Sequence, residues 1–365
     1  MNSIVIIGHS LAALENRLAF AGWKNLNVVL IVPEQWTVSK SGADFKNQST
    51  PQGSQPEIRN LPCYAQGNNS LFLWRGLTRL LNQMKPDLLY SWEEPWCLSS
   101  WQVSRWAKQN GIPLVFFTAE NRPKKLPWPF QRLTQWVFRC AKACVVPTPE
   151  IAENIMRMGY HGPKFLIPLS VSLRSSIPLQ FEQNTFAYIG RLIPLKRVDL
   201  LIKTLTHLPH FHLRIIGDGP EGDNLKLLAK RLGVFDRVQF VGYIPNSQLE
   251  NALQGCCCVV LPTAETSRQA EQFGKAVLEA VLCGLPCLVS PSGNLDRWCK
   301  EFPTVFALSL GDAQNLAQSL KKLWASPPSQ KLLEESRLKV IEFFGPETIG
   351  KQMEKAFHSL LQEEA

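Results

Sequence analysis

At 365 residues the chain is too long for one ordinary core and suits two domains of roughly 150 to 180 residues each. Its 45% hydrophobic and 19% charged residues are those of a folded protein. No apolar run reaches the roughly 18 residues that span a bilayer, and the opening "MNSIVIIGHSLAALENRLAF" has no basic segment before its apolar residues, so a cytoplasmic protein is expected. The net charge of +9 is uneven: residues 1 to 150 carry 16 Lys+Arg against 9 Asp+Glu, and nine of the eleven tryptophans. Basic residues among aromatics point to an anionic substrate or membrane surface, and no nucleic-acid motif accompanies them.

Short apolar runs alternate with helical patterns in both halves, the sign of parallel sheets built from βαβ units. In the first half the expected strands are "IVIIG", "NVVLIVP", "DLLYSW", "PLVFFT" and "ACVVPT". The polar segment Lys40 to Asn60 reads as a loop. In the second half they are "TFAYIG", "FHLRIIG", "VQFVGY", "CCCVVLP" and "PCLVS", joined by helices such as "LKRVDLLIKTLTHL" and "GKAVLEAVLCG". Between the halves "KFLIPLSVSLRSSIPLQFEQ", with Pro168 and Pro178, reads as a linker. The expected domains are residues 1–168 and 169–343, and residues 344–365 form a terminal helix after "FFGPE". The ten cysteines show no C-x-x-C and read as reduced core thiols.

Ligands of open α/β sheets bind beyond the carboxyl ends of the strands, so the strand-to-helix turns are the places to search. In "YIGRLIPLKRVDLL", Gly190 ends a strand, and Arg191 and Lys196 flank a helix start. There a guanidinium, an ammonium and a helix dipole suit a diphosphate, or the two cations are simply solvated. "IIGDGPEG" formally contains G-x-G-x-x-G, the mark of a dinucleotide-binding dehydrogenase. Its carboxylates and Pro220 oppose a pyrophosphate there, so Gly217 and Gly219 read as a tight turn where backbone approaches a ligand. In "FVGYIPNSQL" the backbone from Gly242 through Tyr243 to Ile244 would recognise a base, or Asn246 or Ser247 merely caps a helix.

The fourth turn, "AEQFGKAVLEA", is the most specific. Glu271 falls on a loop and Glu279 on a helix that stops at Gly284, and the amides of Phe273, Gly274 and Lys275 form the helix N-terminus between them. Were the whole segment helical, eight residues would separate the carboxylates by ~12 Å, against ~5 Å for a retaining glycosidase pair. Two ends of one nucleotide sugar fit that spacing better, and solvated charges are the bland alternative.

Taken in order from about Phe186 to Gly293, these turns resemble retaining glycosyltransferases of family four, including that family's E-x7-E element. The resemblance implies an α/β fold of GT-B architecture: two Rossmann-like domains with parallel sheets facing a cleft, and a C-terminal helix crossing back to the first domain. It makes Arg191, Lys196 and Glu271 the catalytic set. Arg191 and Lys196 would hold the diphosphate of a UDP- or GDP-linked donor, Glu279 the ribose, and Glu271 with the amides of Phe273, Gly274 and Lys275 the sugar. Gly190, Gly217, Gly219, Tyr243 and Ile244 complete the donor side.

The implied chemistry is transfer of a hexose with retention, the leaving phosphate helping to remove the acceptor's proton. No D-x-D motif is present, so no metal or other cofactor is expected and the cations would take its electrostatic part. In the first half "SWEEPW" and "FFTAENRPKKLPWPF" resemble members acting on polysaccharides and glycoconjugates. Gly8, His9, Glu120 and Asn121 follow as acceptor or cleft candidates, His9 having the alternative of a helix-entry residue.

The expected partners are a nucleotide-sugar donor and a glycan, glycolipid or lipid-linked acceptor, with no nucleic acid, in surface polysaccharide or glycoconjugate biosynthesis. "LFLWRGLTRLLNQMK" and "PFQRLTQWVFRCAK" would dock on the cytoplasmic face of an anionic membrane, or else cover the sheet as core helices. The linker "PLSVSL" and "SGNLDRW" depart from the family pattern. The alternative function is a degenerate GT-B protein that binds a nucleotide sugar or glycan without turnover.

Overall fold

A computed structural model of the chain describes residues 2–37, 44–46, 56–172, 184–267, 269–308 and 311–363. The chain divides into two compact units, residues 1–170 with 344–365, and residues 171–343.

The first unit is built on seven strands: β1 (Asn2–Ile7), β2 (Leu26–Pro33), β3 (Glu57–Leu61), β4 (Leu88–Ser91), β5 (Leu114–Phe117), β6 (Ala143–Val146) and β7 (Lys164–Leu166). They lie in the order β7-β6-β5-β4-β1-β2-β3, every neighbour parallel. Every residue of β4, β5 and β6 is buried, because both faces of the sheet are covered. On one face α1 (Leu77–Met84) and α2 (Leu98–Asn110) bring Leu77, Leu81, Val103 and Trp106 against Val5, Val29 and Leu89. The helices α3 (Trp128–Cys140) and α4 (Pro149–Arg157) cover Phe116, Cys144 and Val146.

The other face is closed by the helix Pro346–Gln362, which inserts Ile349, Met353, Phe357 and Leu360 beside Ile4, Phe20, Trp23 and Tyr90. Phe357 meets Trp23 and Tyr90 edge-on, at centroid distances of 5.8 and 5.1 Å. A Cβ on Gly350 would lie 2.3 Å from the Ala19 carbonyl, so a side chain there would hold this helix off. Glu354 Oε1 accepts from the amides of Lys24 and Asn25, at 2.9 Å each, and locks its register.

The second unit has six strands: β8 (Thr185–Ile189), β9 (His212–Ile216), β10 (Val238–Gly242), β11 (Cys256–Leu261), β12 (Cys287–Val289) and β13 (Val305–Ala307). They are ordered β10-β9-β8-β11-β12-β13, again all parallel. Helices α5 (Val198–Thr204), α6 (Gly222–Arg231), α7 (Leu249–Leu253), α8 (Lys275–Leu282) and α9 (Asn294–Glu301) connect or flank them, and two longer helices, Ala313–Ala325 and Gln330–Phe344, follow. The strand order reverses between β1 and β4 in the first sheet and between β8 and β11 in the second. Such reversals open a crevice at the carboxyl ends of the strands.

The structure corrects several expectations. The end of the Lys40–Asn60 segment is the edge strand β3, paired in register with Val29 to Pro33, and Asp44–Lys46 pairs antiparallel with Gln35–Thr37. The rest of that segment, residues 40–43 and 47–55, lies outside the described residues. The start of the expected linker is strand β7, and its residues 173–183 lie outside the description too. β3 and β7, like β13, which was also not expected, sit at sheet edges, where one exposed side dilutes the apolar signal. The helix read from Leu195 to Leu208 is broken: a 3-10 turn, Pro194–Lys196, precedes α5 with Arg197 left-handed between them (φ 50°).

Candidate functional site

In the second unit the turns after the strands are stitched to one another by main-chain bonds. Gly190 N–H donates to the Ile216 carbonyl (3.0 Å), Leu192 N–H to Asp218 (2.9 Å), Glu221 N–H to Leu192 (3.0 Å) and Gly217 N–H to Gly242 (2.8 Å). Gly217 stands at φ 140°, and a Cβ there would lie 1.9 Å from the Gly190 carbonyl oxygen; one on Gly219 would lie 2.4 Å from that of Leu192. The room these glycines make is thus filled by the neighbouring turn. The G-x-G spacing serves packing between turns.

Arg191 is exposed on this rim, its carbonyl receiving the hydroxyl of the buried Tyr188 at 2.9 Å. Lys196 is half-buried, and its Nζ pairs directly with Glu271 Oε2. The Lys196 turn is tied across the sheet's point of reversal, where Ala264 N–H, beyond β11, donates to the Leu195 carbonyl at 2.8 Å. The Glu271 loop is held from the other side. Its carbonyl accepts Asn294 N–H at 3.1 Å, its amide meets Ser292 Oγ at 3.4 Å, and a Cβ on Gly293 would come within 2.2 Å of its carbonyl. Glu265 Oε2 accepts Gly293 N–H at 2.9 Å and completes this support.

The helix α8 begins at Lys275 after Gly274, which is left-handed at φ 76°. The Phe273 carbonyl accepts Asn294 Nδ2 (2.9 Å) and Trp298 Nε1 (2.6 Å), which aims the helix start. Val277, Leu278, Ala280 and Val281 are buried, so Glu279, itself only 8% exposed, is an acid on a helix otherwise committed to the core. Its Oε1 accepts Asn246 Nδ2 at 3.0 Å, with Lys275 Nζ at 3.8 Å. Asn246 therefore does not cap a helix as read from the sequence: α7 starts at Leu249 with no side-chain cap, and Asn246 is spent on Glu279. Tyr243 and Ile244 are half-buried where the chain leaves β10.

A cavity of about 700 Å³ in this unit lies at the opposite end of the sheet, lined by Asn184, His210, His212, Arg214 and Arg237. Its two guanidiniums are engaged by main-chain carbonyls, Arg214 by Ala252 and Gln254 and Arg237 by Leu205, Leu208 and Phe211. Facing the amino ends of the strands, it is on the wrong side for a Rossmann-type ligand.

In the first unit Gly8 and His9 follow β1, and a Cβ on Gly8 would lie 3.0 Å from Trp92. His9 Nδ1 contacts both oxygens of the buried Glu93, at 2.8 and 2.6 Å, and its amide donates to Oε1 at 2.5 Å. The imidazole packs on Trp36 and Phe72, at centroid distances of 4.6 and 5.5 Å. Burial works against the imidazolium, but the charge and hydrogen bond of Glu93 outweigh it and raise the pKa of His9 above the usual range. The adjacent Glu94 accepts Thr118 Oγ1 (2.6 Å) and Ala119 N–H (2.9 Å), and burial pushes its carboxyl up to about 7. Glu120 pairs with Lys124 at 3.1 Å, and Asn121 is half-buried beside it.

The structure brings Lys196 to Glu271 and His9 near the carboxylates of "SWEEPW". Sequence reasoning missed Asn246 as a partner of Glu279, and it missed Glu93, Glu94 and Thr118. Two acids one residue beyond a buried strand were the signal for the last group. Among the described residues no group of three or more His, Cys, Asp or Glu is placed to hold a metal ion, and no helix is long and apolar enough to cross a membrane.

Residues 172–339 match the family model described as glycosyl transferases group 1, and residues 13–169 match that of the glycosyl transferase 4-like domain. The D-inositol 3-phosphate glycosyltransferase of Mycobacterium leprae is 27% identical over 179 residues, which are 47% of this chain and 40% of that protein. The match thus spans about two fifths of that relative's length. Among solved structures, sucrose-phosphate synthase from Thermosynechococcus elongatus superposes with a TM-score of 0.76 at 19% identity, covering 100% of both chains. Anabaena HepE in complex with UDP and glucose superposes at 0.73 with 16% identity, covering 98% of this chain and 100% of that one.

Proposed function

The chain belongs to the group 1 glycosyltransferases, with the GT-B fold, and on that premise we propose that it transfers a hexose, with retention, from a UDP- or GDP-linked donor. The observation that carries this reading is the grouping around the start of α8. There Lys196 meets Glu271 on one side, and Glu279, held by Asn246, lies about one helical turn into α8. Cations, a helix N-terminus and two separated acids match the three parts of such a donor: diphosphate, sugar and ribose. The UDP and glucose bound by the Anabaena relative support a donor of this class.

In the mechanism we propose, Lys196, Arg191 and the amides opening α8 take up the charge that develops on the leaving phosphate. That phosphate in turn accepts the acceptor's proton. Groups fixed before the reaction stabilise developing charge without reorganising, so their loss falls mainly on kcat. We propose no metal and no other cofactor. The acceptor is a glycan, glycolipid or lipid-linked saccharide, as in surface polysaccharide assembly, with His9, Glu120 and Asn121 on the acceptor side.

A peripheral contact with an anionic membrane surface on the cytoplasmic side is part of this proposal. Residues 98–142 hold eight Lys+Arg and one carboxylate, Glu120. The Arg132 guanidinium lies over Trp128, itself 64% exposed, and the Lys108 ammonium over Trp136. Cations beside interfacial tryptophans suit such a surface.

Thermal-shift titration with UDP, GDP and their hexose conjugates tests the donor class, because a bound ligand raises apparent stability by mass action. One nucleotide series is expected to stabilise the protein, and the matching sugar nucleotide to turn over. Turnover that survives intact in both Lys196→Ala and Glu279→Ala would defeat the reading.

A further inference from the structure

The Lys196–Glu271 pair joins two side chains that donor binding requires in separate places. Lys196 is needed at the diphosphate and Glu271 at the sugar, yet in the structure each is a partner of the other. The main chain on both sides is fixed. Leu195 is bonded to Ala264, and Glu271 is held by Ser292 and Asn294. Only the side chains are left to exchange partners. Both are about four-fifths buried, at 20% and 16% side-chain exposure, so their attraction is less screened than that of a surface pair.

We propose that Glu271 makes the site select a sugar nucleotide over the free nucleoside diphosphate, by competing with the diphosphate for Lys196; the inference rests on the donor-site reading above. A diphosphate entering the site must take Lys196 from Glu271 and leaves that carboxylate close to phosphate charge. Hydroxyls of a bound sugar donate hydrogen bonds to the displaced carboxylate and offset this cost. UDP or GDP has no such hydroxyls and bears the repulsion in full. The negative charge of Glu271 already reaches its surroundings: after burial, it is the second cause that raises the phenol of the neighbouring Tyr188. The same competition favours departure of the nucleotide once the sugar has been transferred, because Glu271 then returns to Lys196.

The test is calorimetric titration of the full chain with UDP and GDP and with UDP-glucose and GDP-mannose. It compares wild type, Glu271→Gln, Lys196→Ala and the double variant, with melting curves to establish that each is folded. Glu271→Gln is expected to bind the preferred nucleoside diphosphate about five-fold tighter or more, to bind the sugar nucleotide no tighter, and to lose the gain when Lys196 is also Ala. Adding salt should shrink the difference.

A nucleoside diphosphate that binds wild type and is weakened by Lys196→Ala, but binds Glu271→Gln no tighter, overturns the selectivity proposal and leaves the donor site standing. A gain that persists without Lys196 also overturns it. If neither UDP nor GDP, free or sugar-linked, binds any of the folded variants, the donor reading falls and this proposal falls with it.

Discussion

The two units share a parallel sheet with one reversal of strand order, and each gathers polar side chains at the carboxyl ends of the strands beside that reversal. What they gather differs. In the second unit cations and acids pair, Lys196 with Glu271 between two turns and Lys275 with Glu279 along α8, and Arg191 stands exposed on the rim. In the first, His9 and two glutamates gather among Trp36, Phe72, Thr118 and Ala119; Glu93 raises the pKa of His9, and burial raises that of Glu94. The same topology therefore yields a lysine–carboxylate pair in one unit and, in the other, a histidine held by a glutamate only 2% exposed. A pair with 20% and 16% of its side chains exposed can trade partners with a charged ligand. Glu93 is only 2% exposed, so separating it from His9 would strand a charge away from water.

The largest effect is expected from breaking the frame of the second unit's site. Gly217→Ala places a methyl group 1.9 Å from the Gly190 carbonyl and should cost about 3 kcal/mol or more, seen as a lowered urea midpoint together with lost donor binding. Next, Lys196→Ala should leave the fold intact and lower kcat roughly 10²- to 10³-fold, measured as transfer or donor hydrolysis.

The first unit's site is sharpened by pH. Glu94 is protonated in the folded chain up to about 7 and ionises near its usual value when unfolded. Its folded pKa is thus raised, so the stability it contributes is complete below the usual carboxylate range and is lost as pH rises towards about 7. Wild type should lose on the order of 3 kcal/mol more between pH 4 and 8 than Glu94→Gln, read from denaturant midpoints. Equal pH slopes would remove the buried, neutral Glu94.

A smaller effect belongs to Asn246. Asn246→Ala frees one oxygen of Glu279 from its hydrogen bond and should reduce discrimination between UDP and 2′-deoxy-UDP several-fold, with the melting temperature little changed. The smallest is expected at the exposed Trp128. Trp128→Ala should leave stability unchanged and lower flotation with anionic vesicles severalfold; wild type that fails to float would dismiss the membrane contact.

Much of this was legible in the chain itself. The strands beneath both sites announce themselves as short apolar runs, because a strand buried on both faces needs nothing else. The acids of "AEQFGKAVLEA" stand out because a charged residue on a core helix requires a reason. The edge strands Glu57–Leu61 and Lys164–Leu166 were not legible, since one exposed side and a polar composition make them look like loop.

By itself the sequence determined two parallel αβ units, the turns where chemistry has to sit, and the residue types available there. Local periodicity, turn residues and charge carry that information over a few positions at a time. Only the tertiary structure decided who pairs with whom. Lys196 lies 75 residues from Glu271, His9 lies 84 from Glu93, and Asn246 lies 33 from Glu279. Those meetings depend on strand order and on which buried charge finds a partner, and neither is written in any single stretch of the chain.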